Sequence, residues 1–217
     1  MRIKKFYAVI IDVMESSKVK DRNRLTEQME RAILKINKKY HKDCYAPFEI
    51  TRGDEIAAVL KSIENSYDIV SQINEIISPE KIRTVIVYDD LNAGLKSFRS
   101  SVIDGPAFYR GNSLMAELKK TQKTFLLKTG IESDDRIIES LINLLLWQWD
   151  NFTDKQKRII RLYQKIRNQK KVAEKILRTQ QQVQSTLETC RWELIDNAES
   201  TLKEMFKRID KNLKVLN

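Results

Sequence analysis

Turn-formers are scarce in this chain: five glycines and three prolines serve all 217 residues. A sandwich or barrel of many short strands needs a turn signal roughly every 8–12 residues. That architecture is therefore excluded, and long helices with a few strands are favoured. At 41% apolar residues the chain can bury a sizeable core, so disorder along its length is excluded as well. Cys44 and Cys190 are far apart and belong to no C-x-x-C pair, which argues against a disulfide framework or a zinc site and for a reducing compartment. The apolar run Phe6 to Ile11 is too short for a signal peptide. The stretch Leu141 to Trp149 is interrupted by Asn143 and Gln148 and falls far short of a membrane span. A soluble, cytoplasmic protein without membrane insertion is expected.

Hydrophobic periodicity sets the element order. Lys5 to Val13 is a nearly continuous β-branched and aromatic run, the pattern of a buried strand. Leu25, Met29, Ile33, Ile36 and Tyr40 recur in steps of three and four, giving a helix over Asp21 to Tyr40. Phe48 to Thr51 and Glu55 to Leu60 read as strands joined by Arg52-Gly53-Asp54. Glu64 to Ile77 reads as a second helix and Lys81 to Tyr88 as a fourth strand. The order βαββαβ predicts a ferredoxin-like α+β domain. A polar loop follows from Asp89, then a helix opened by Asp104-Gly105-Pro106 and a short strand over Thr124 to Lys128. Ser133 is the expected N-cap of an apolar helix over Asp134 to Trp149.

In such a sheet the first and third strands are adjacent, so Asp12 and Asp54 can face one another, as two hard oxygen ligands for Mg²⁺ or Mn²⁺ would. Spacing alone favours the simpler reading, in which Asp12 ends a strand and Asp54 makes a tight turn with Gly53. Ile11-Asp12-Val13 with Ser16-Ser17, followed by Gly53-Asp54-Glu55-Ile56, resembles the palm of class III nucleotide cyclases and diguanylate cyclases. There the matching aspartates bind two metals. Arg83 and its strand resemble the Arg-x-Gly strand of the cyclases, and Asp104-Gly105 resembles the segment opening their next helix. More closely, Ile-Asp-Val-Met-Glu-Ser-Ser, Arg-Gly-Asp-Glu-Ile-Ala-Ala-Val-Leu and Asp-Gly-Pro-Ala-Phe-Tyr-Arg resemble the SatD family of small bacterial proteins. The resemblance implies a purine nucleotide with a divalent metal on Asp12 and Asp54, contacted by Ser16, Ser17, Arg52, Gly53, Asp104 and Arg110. Tyr109 and Ser113 stand where class III cyclases carry a transition-state Asn and Arg, so binding is expected in preference to turnover.

The net charge of +10 is unevenly placed. Residues 152–178 carry 10 basic and 2 acidic side chains, whereas 179–217 carry 6 of each. Such a cluster is how proteins meet phosphate backbones. Thr153 with Gln156, and Thr179 with Gln182, are capping boxes opening two helices. Ala173, Ile176, Thr179, Val183 and Leu187 follow the spacing of a bacterial helix-turn-helix, although Leu177 stands where glycine is usual. Gln181, Gln182, Gln184 and Ser185 are candidates for base edges. Lys155, Lys170, Lys171 and Arg178 are candidates for phosphates. From Trp192, apolar residues through Leu213 and Leu216 describe a long helix that packs on its own chain or on a second subunit. The expected organisation is a palm-like domain at 1–131, a connector helix at 132–151, and a helix-turn-helix with its C-terminal helix at 152–217. The expected function is that of a homodimeric DNA-binding regulator whose first domain binds a nucleotide. The alternative is a nucleotidyl cyclase-like enzyme with a C-terminal targeting module.

Overall fold

The strand-like runs assemble into one mixed sheet. A computed structural model describes residues 4–215, and every structural statement below concerns these. The strands are β1 (Lys4–Val13), β2 (Cys44–Arg52), β3 (Glu55–Leu60), β4 (Ile82–Leu91) and β5 (Phe125–Lys128), in the order β2-β3-β1-β4-β5. β1 is central and antiparallel to both β3 and β4, whereas β5 runs parallel to β4. α1 (Arg22–Tyr40) and α2 (Ser66–Ile77) pack against each other, and α3 (Pro106–Leu118) lies on β1 and β4. The architecture is thus mixed α+β.

β1 reads as an unbroken apolar run because both its faces are covered. Ala8 and Ile10 share a buried cluster with Ala57, Val85 and Val87 and with Ala107, Phe108, Met115 and Leu118 of α3. Tyr7, Val9, Ile11 and Val13 point the other way and are equally buried. Gly111 lets α3 approach closely: a Cβ there would come within 2.8 Å of Ile10 Cδ1.

Several elements extend beyond the sequence expectation. β2 starts at Cys44 instead of Phe48, its middle held by Asn37, whose side chain both accepts from Phe48 N–H (2.8 Å) and donates to Phe48 C=O (2.9 Å). β4 continues through Asp89 and Asp90 because β1 pairs with them at Phe6 and Lys5; the backbone ladder is indifferent to edge polarity. Ser133 is not an N-cap. α4 (Glu132–Asn151) begins before it, while Asp135 accepts from the Thr129 N–H (2.9 Å) and hydroxyl (2.6 Å).

The chain divides into two compact units. One takes everything up to Asn143 together with the chain from Leu202 onward; the other is Leu144–Thr201. The remaining helices are α5 (Asp154–Ile166), α6 (Gln169–Ile176), α7 (Gln180–Thr189) and α8 (Trp192–Val215). The end of α8 therefore packs in cis. Leu202, Phe206 and Ile209 are fully buried, and Asp210 accepts from the Tyr7 hydroxyl (2.7 Å), the Ser62 hydroxyl (2.5 Å) and the Ile63 N–H (3.2 Å). Leu216 lies outside the described residues. This division differs from the expected partition at 131 and 152, because the first unit draws on both α4 and α8.

Candidate functional site

Three charged side chains form a row across the sheet. In the antiparallel register Asp12 of β1 lies opposite Glu55 of β3 and opposite Arg83 of β4, so all three project from the face that α3 covers. Lys119, just beyond the last turn of α3, places its Nζ 2.7 Å from Asp12 Oδ1. Asp12 is only 7% exposed. Glu55 accepts from the Thr51 hydroxyl at 2.8 Å. Arg83 is half-buried, and its Nε is buried without a hydrogen-bond partner.

Asp54 reaches the same end of the sheet through its backbone, its C=O accepting from Val13 N–H at 3.2 Å. Its carboxylate accepts a hydrogen bond from the Ser16 hydroxyl. Gly53 sits in the β2–β3 turn at φ +47° with open space around it; Arg52, preceding it, is exposed, as is Ser17, which follows Ser16. Asp12, Asp54 and Ser16 are therefore brought together.

Asp104 and Arg110 are not. The Tyr109 hydroxyl donates to Asp104 (2.8 Å), and Arg110 faces Asp89 at 3.8 Å, where β4 pairs with Phe6. Six residues of strand separate Phe6 from Asp12, about 20 Å at the usual rise. α3 runs the length of the sheet, so its opening turn and its end lie at opposite edges. A sequence motif adjacent to a helix start carries no information about which end of the sheet that start occupies.

A divalent ion fits this arrangement poorly. Asp12 already holds an ammonium, Asp54 holds a hydroxyl, and among the described residues no group of three or more His, Cys, Asp or Glu could hold a metal. Sequence reasoning missed Lys119 altogether and left Arg83 out of the site. The register of β1 with β4, legible once both strands are accepted, would have found Arg83.

In the second unit both capping boxes form. Thr153 and Gln156 cap α5 reciprocally, and Thr179 and Gln182 do the same for α7. Val172, Ala173, Val183 and Leu187 are buried between the short helices. Leu177 ends α6 in the left-handed region (φ 53°, ψ 54°), a conformation glycine adopts more readily; its N–H donates to Glu174 C=O at 3.3 Å and its side chain is 89% exposed. Arg167, also left-handed, binds Asp196 through two N–H groups (2.8 and 2.6 Å) and lies over the Trp192 ring. Lys155, Lys170, Lys171 and Arg178 are exposed, and none is in an ion pair. Gln181 and Ser185 are exposed, whereas Gln182 is committed to the cap and Gln184 donates to Glu188 at 2.9 Å.

The fold and the sheet-edge site define a mixed α+β protein with a charged row at one end of its central strands. The chain belongs to the SatD family, whose model matches residues 6–195. Part of it is similar to a solved bacterial light-regulated adenylyl cyclase, at 13% identity and a TM-score of 0.45, covering 61% of this chain and 45% of that one. It is also similar to the guanylyl cyclase Cya2, at 8% identity and a TM-score of 0.40, covering 53% of this chain and 71% of that one. The chain spans less than half the length of the adenylyl cyclase it matches. No curated protein matches it. No helix among the described residues is long and apolar enough to cross a membrane.

Proposed function

We propose that the protein is a DNA-binding regulator, acting as a homodimer, whose first unit binds a nucleotide as effector. The observation that carries this reading is the set of four exposed cations, Lys155, Lys170, Lys171 and Arg178, that have no acidic partner in the fold. A cation left unpaired on short capped helices costs nothing in water and gains from counterion release on a phosphate backbone. Gln181 and Ser185, exposed on α7, are the base-reading candidates. The effector half rests on Arg83, whose planar donors suit phosphate oxygens and whose Nε is buried without a partner inside the fold.

The test is fluorescence anisotropy with duplex DNA at low and rising salt, with and without ATP or GTP. Binding is expected to fall steeply with salt. Lys170→Ala with Lys171→Ala weakens it on all sequences and lowers the salt slope by roughly 0.9 per lost contact. Absence of duplex binding by the wild type rejects the DNA reading. For the nucleotide, Arg83→Gln is expected to remove the ligand-induced thermal shift. A second reading, a cyclase-like enzyme, is favoured by the convergence of Asp12 and Asp54 on one sheet end. Multiple-turnover cyclic product, lost in Asp54→Asn, would establish it.

A further inference from the structure

We infer that Lys119 is the resident cation of the Asp12 site, and that the site takes a nucleotide's phosphates without a divalent metal. This rests on the nucleotide reading above. Asp12 and Glu55 are like charges directly opposite each other on adjacent strands, an arrangement that destabilises a sheet unless cations compensate it. Two do. Lys119 lies 2.7 Å from Asp12 Oδ1, the length of a charge-assisted hydrogen bond, and Arg83 flanks Asp12 on the other side. Two carboxylates and two cations leave the row neutral with no metal present.

The position of Lys119 is fixed rather than incidental. Its N–H bonds Met115 C=O at 3.0 Å, so it caps α3, where the helix dipole favours positive charge. A divalent ion approaching Asp12 would have to expel this ammonium from a carboxylate whose side chain is only 10% exposed. The ammonium carries three donors, of which Asp12 takes one. Its side chain is 48% exposed, so the other donors are open to a ligand oxygen. Lys119 and Arg83 then bracket Asp12 and offer N–H donors to the phosphate oxygens that a metal would otherwise coordinate.

Thermal shift on the full chain tests this, with ATP and GTP in EDTA and in excess Mg²⁺, and with Mg²⁺ or Mn²⁺ alone. The wild type is expected to shift equally with nucleotide in EDTA and in Mg²⁺, and not at all with either metal alone. Lys119→Met frees the Asp12 carboxylate and should gain a metal-only shift, which Asp12→Asn in the same chain should abolish. A wild-type nucleotide shift that requires metal, a metal-only shift in the wild type, or no gain in Lys119→Met overturns the inference. If Lys119→Met does not fold, the wild-type arms decide by themselves. If no nucleotide shifts the wild type under any condition, the nucleotide reading fails, while the metal-only arms still decide the role of Lys119.

Discussion

The two compact units treat polar side chains in opposite ways. In the first, carboxylates are turned inward and answered: Asp12 by Lys119, Asp135 by Thr129, and Asp210 by Tyr7, Ser62 and Ile63. In the second, Arg167 is answered by Asp196, but Lys155, Lys170, Lys171 and Arg178 face water without acids. Inward polar groups must be satisfied to be tolerated, so they specify the fold. Outward unpaired cations contribute almost nothing to stability, and their placement is free to serve a partner. Arg83 is an unanswered cation beside Asp12 in the first unit, its Nε buried without a partner, and that position places it in the candidate site.

The largest expected effect separates the units by stability. Asp210→Ala leaves the Tyr7 hydroxyl and the Ile63 N–H buried without acceptors, and should cost about 3 kcal/mol or more by denaturant unfolding. Lys171→Ala, at an exposed unpaired site, should change stability by less than about 0.5 kcal/mol. A fragment ending at residue 131 removes Asp210, Asp135, Glu139 and Asn143 together, the last two being acceptors for Leu127 N–H and Thr124 N–H. It should be molten and bind a hydrophobic dye strongly. Cooperative unfolding of that fragment would show that the first unit does not depend on α4 and α8.

How much of this was legible in the residues follows the same division. The element order, the capping boxes at Thr153 and Thr179, and the basic excess of 152–178 are local signals, and each depends on neighbours within a few positions. The adjacency of β1 and β3 follows from chain order and packing rules, so the nearness of Asp12 and Asp54 is legible in the residues. The clasp between Lys119 and Asp12 and the return of Asp210 to Tyr7 join residues 107 and 203 positions apart, and no periodicity carries that information. Asp104 and Arg110 lie away from Asp12 for the same reason: their motif marks a helix start, but not the end of the sheet where that start lies.

A smaller effect is expected at Leu177. A left-handed non-glycine residue costs about 1–2 kcal/mol, and an exposed side chain recovers none of it by burial. Leu177→Gly relieves that strain but loses more chain entropy on folding, roughly 0.5–1 kcal/mol. The net result should be a gain of up to about 1.5 kcal/mol in thermal unfolding. If the variant is more stable yet binds DNA less tightly, the leucine serves the partner and the contrast between the units sharpens. If it is destabilised, Leu177 makes contacts within the fold and the contrast weakens.

The smallest expected effect tests whether an answered carboxylate at the edge of the first unit adds measurable stability. Burial would raise the Glu49 pKa, but hydrogen bonds from the Ser101 N–H (3.0 Å) and hydroxyl (2.9 Å), with Arg99 at 3.3 Å, outweigh it and hold the carboxyl below its ordinary value. A depressed folded pKa means that the unfolded chain binds its proton first as pH falls. The stabilisation is therefore fully present above the ordinary glutamate value of about 4.3 and is lost as pH falls through the lower folded value. Asp135 has the opposite sign: burial pushes its carboxyl up despite the Thr129 hydrogen bonds, so its contribution declines as pH rises through the acid range. Unfolding measured from neutral pH downward should show wild type and Glu49→Gln separated by a constant margin at neutral pH, with the two curves converging below the ordinary glutamate range. Curves that stay parallel into acid would mean that the loop carrying Arg99 and Ser101 is held by its other bonds, such as that from the Ser100 hydroxyl to Pro47 C=O, and not by the Glu49 charge.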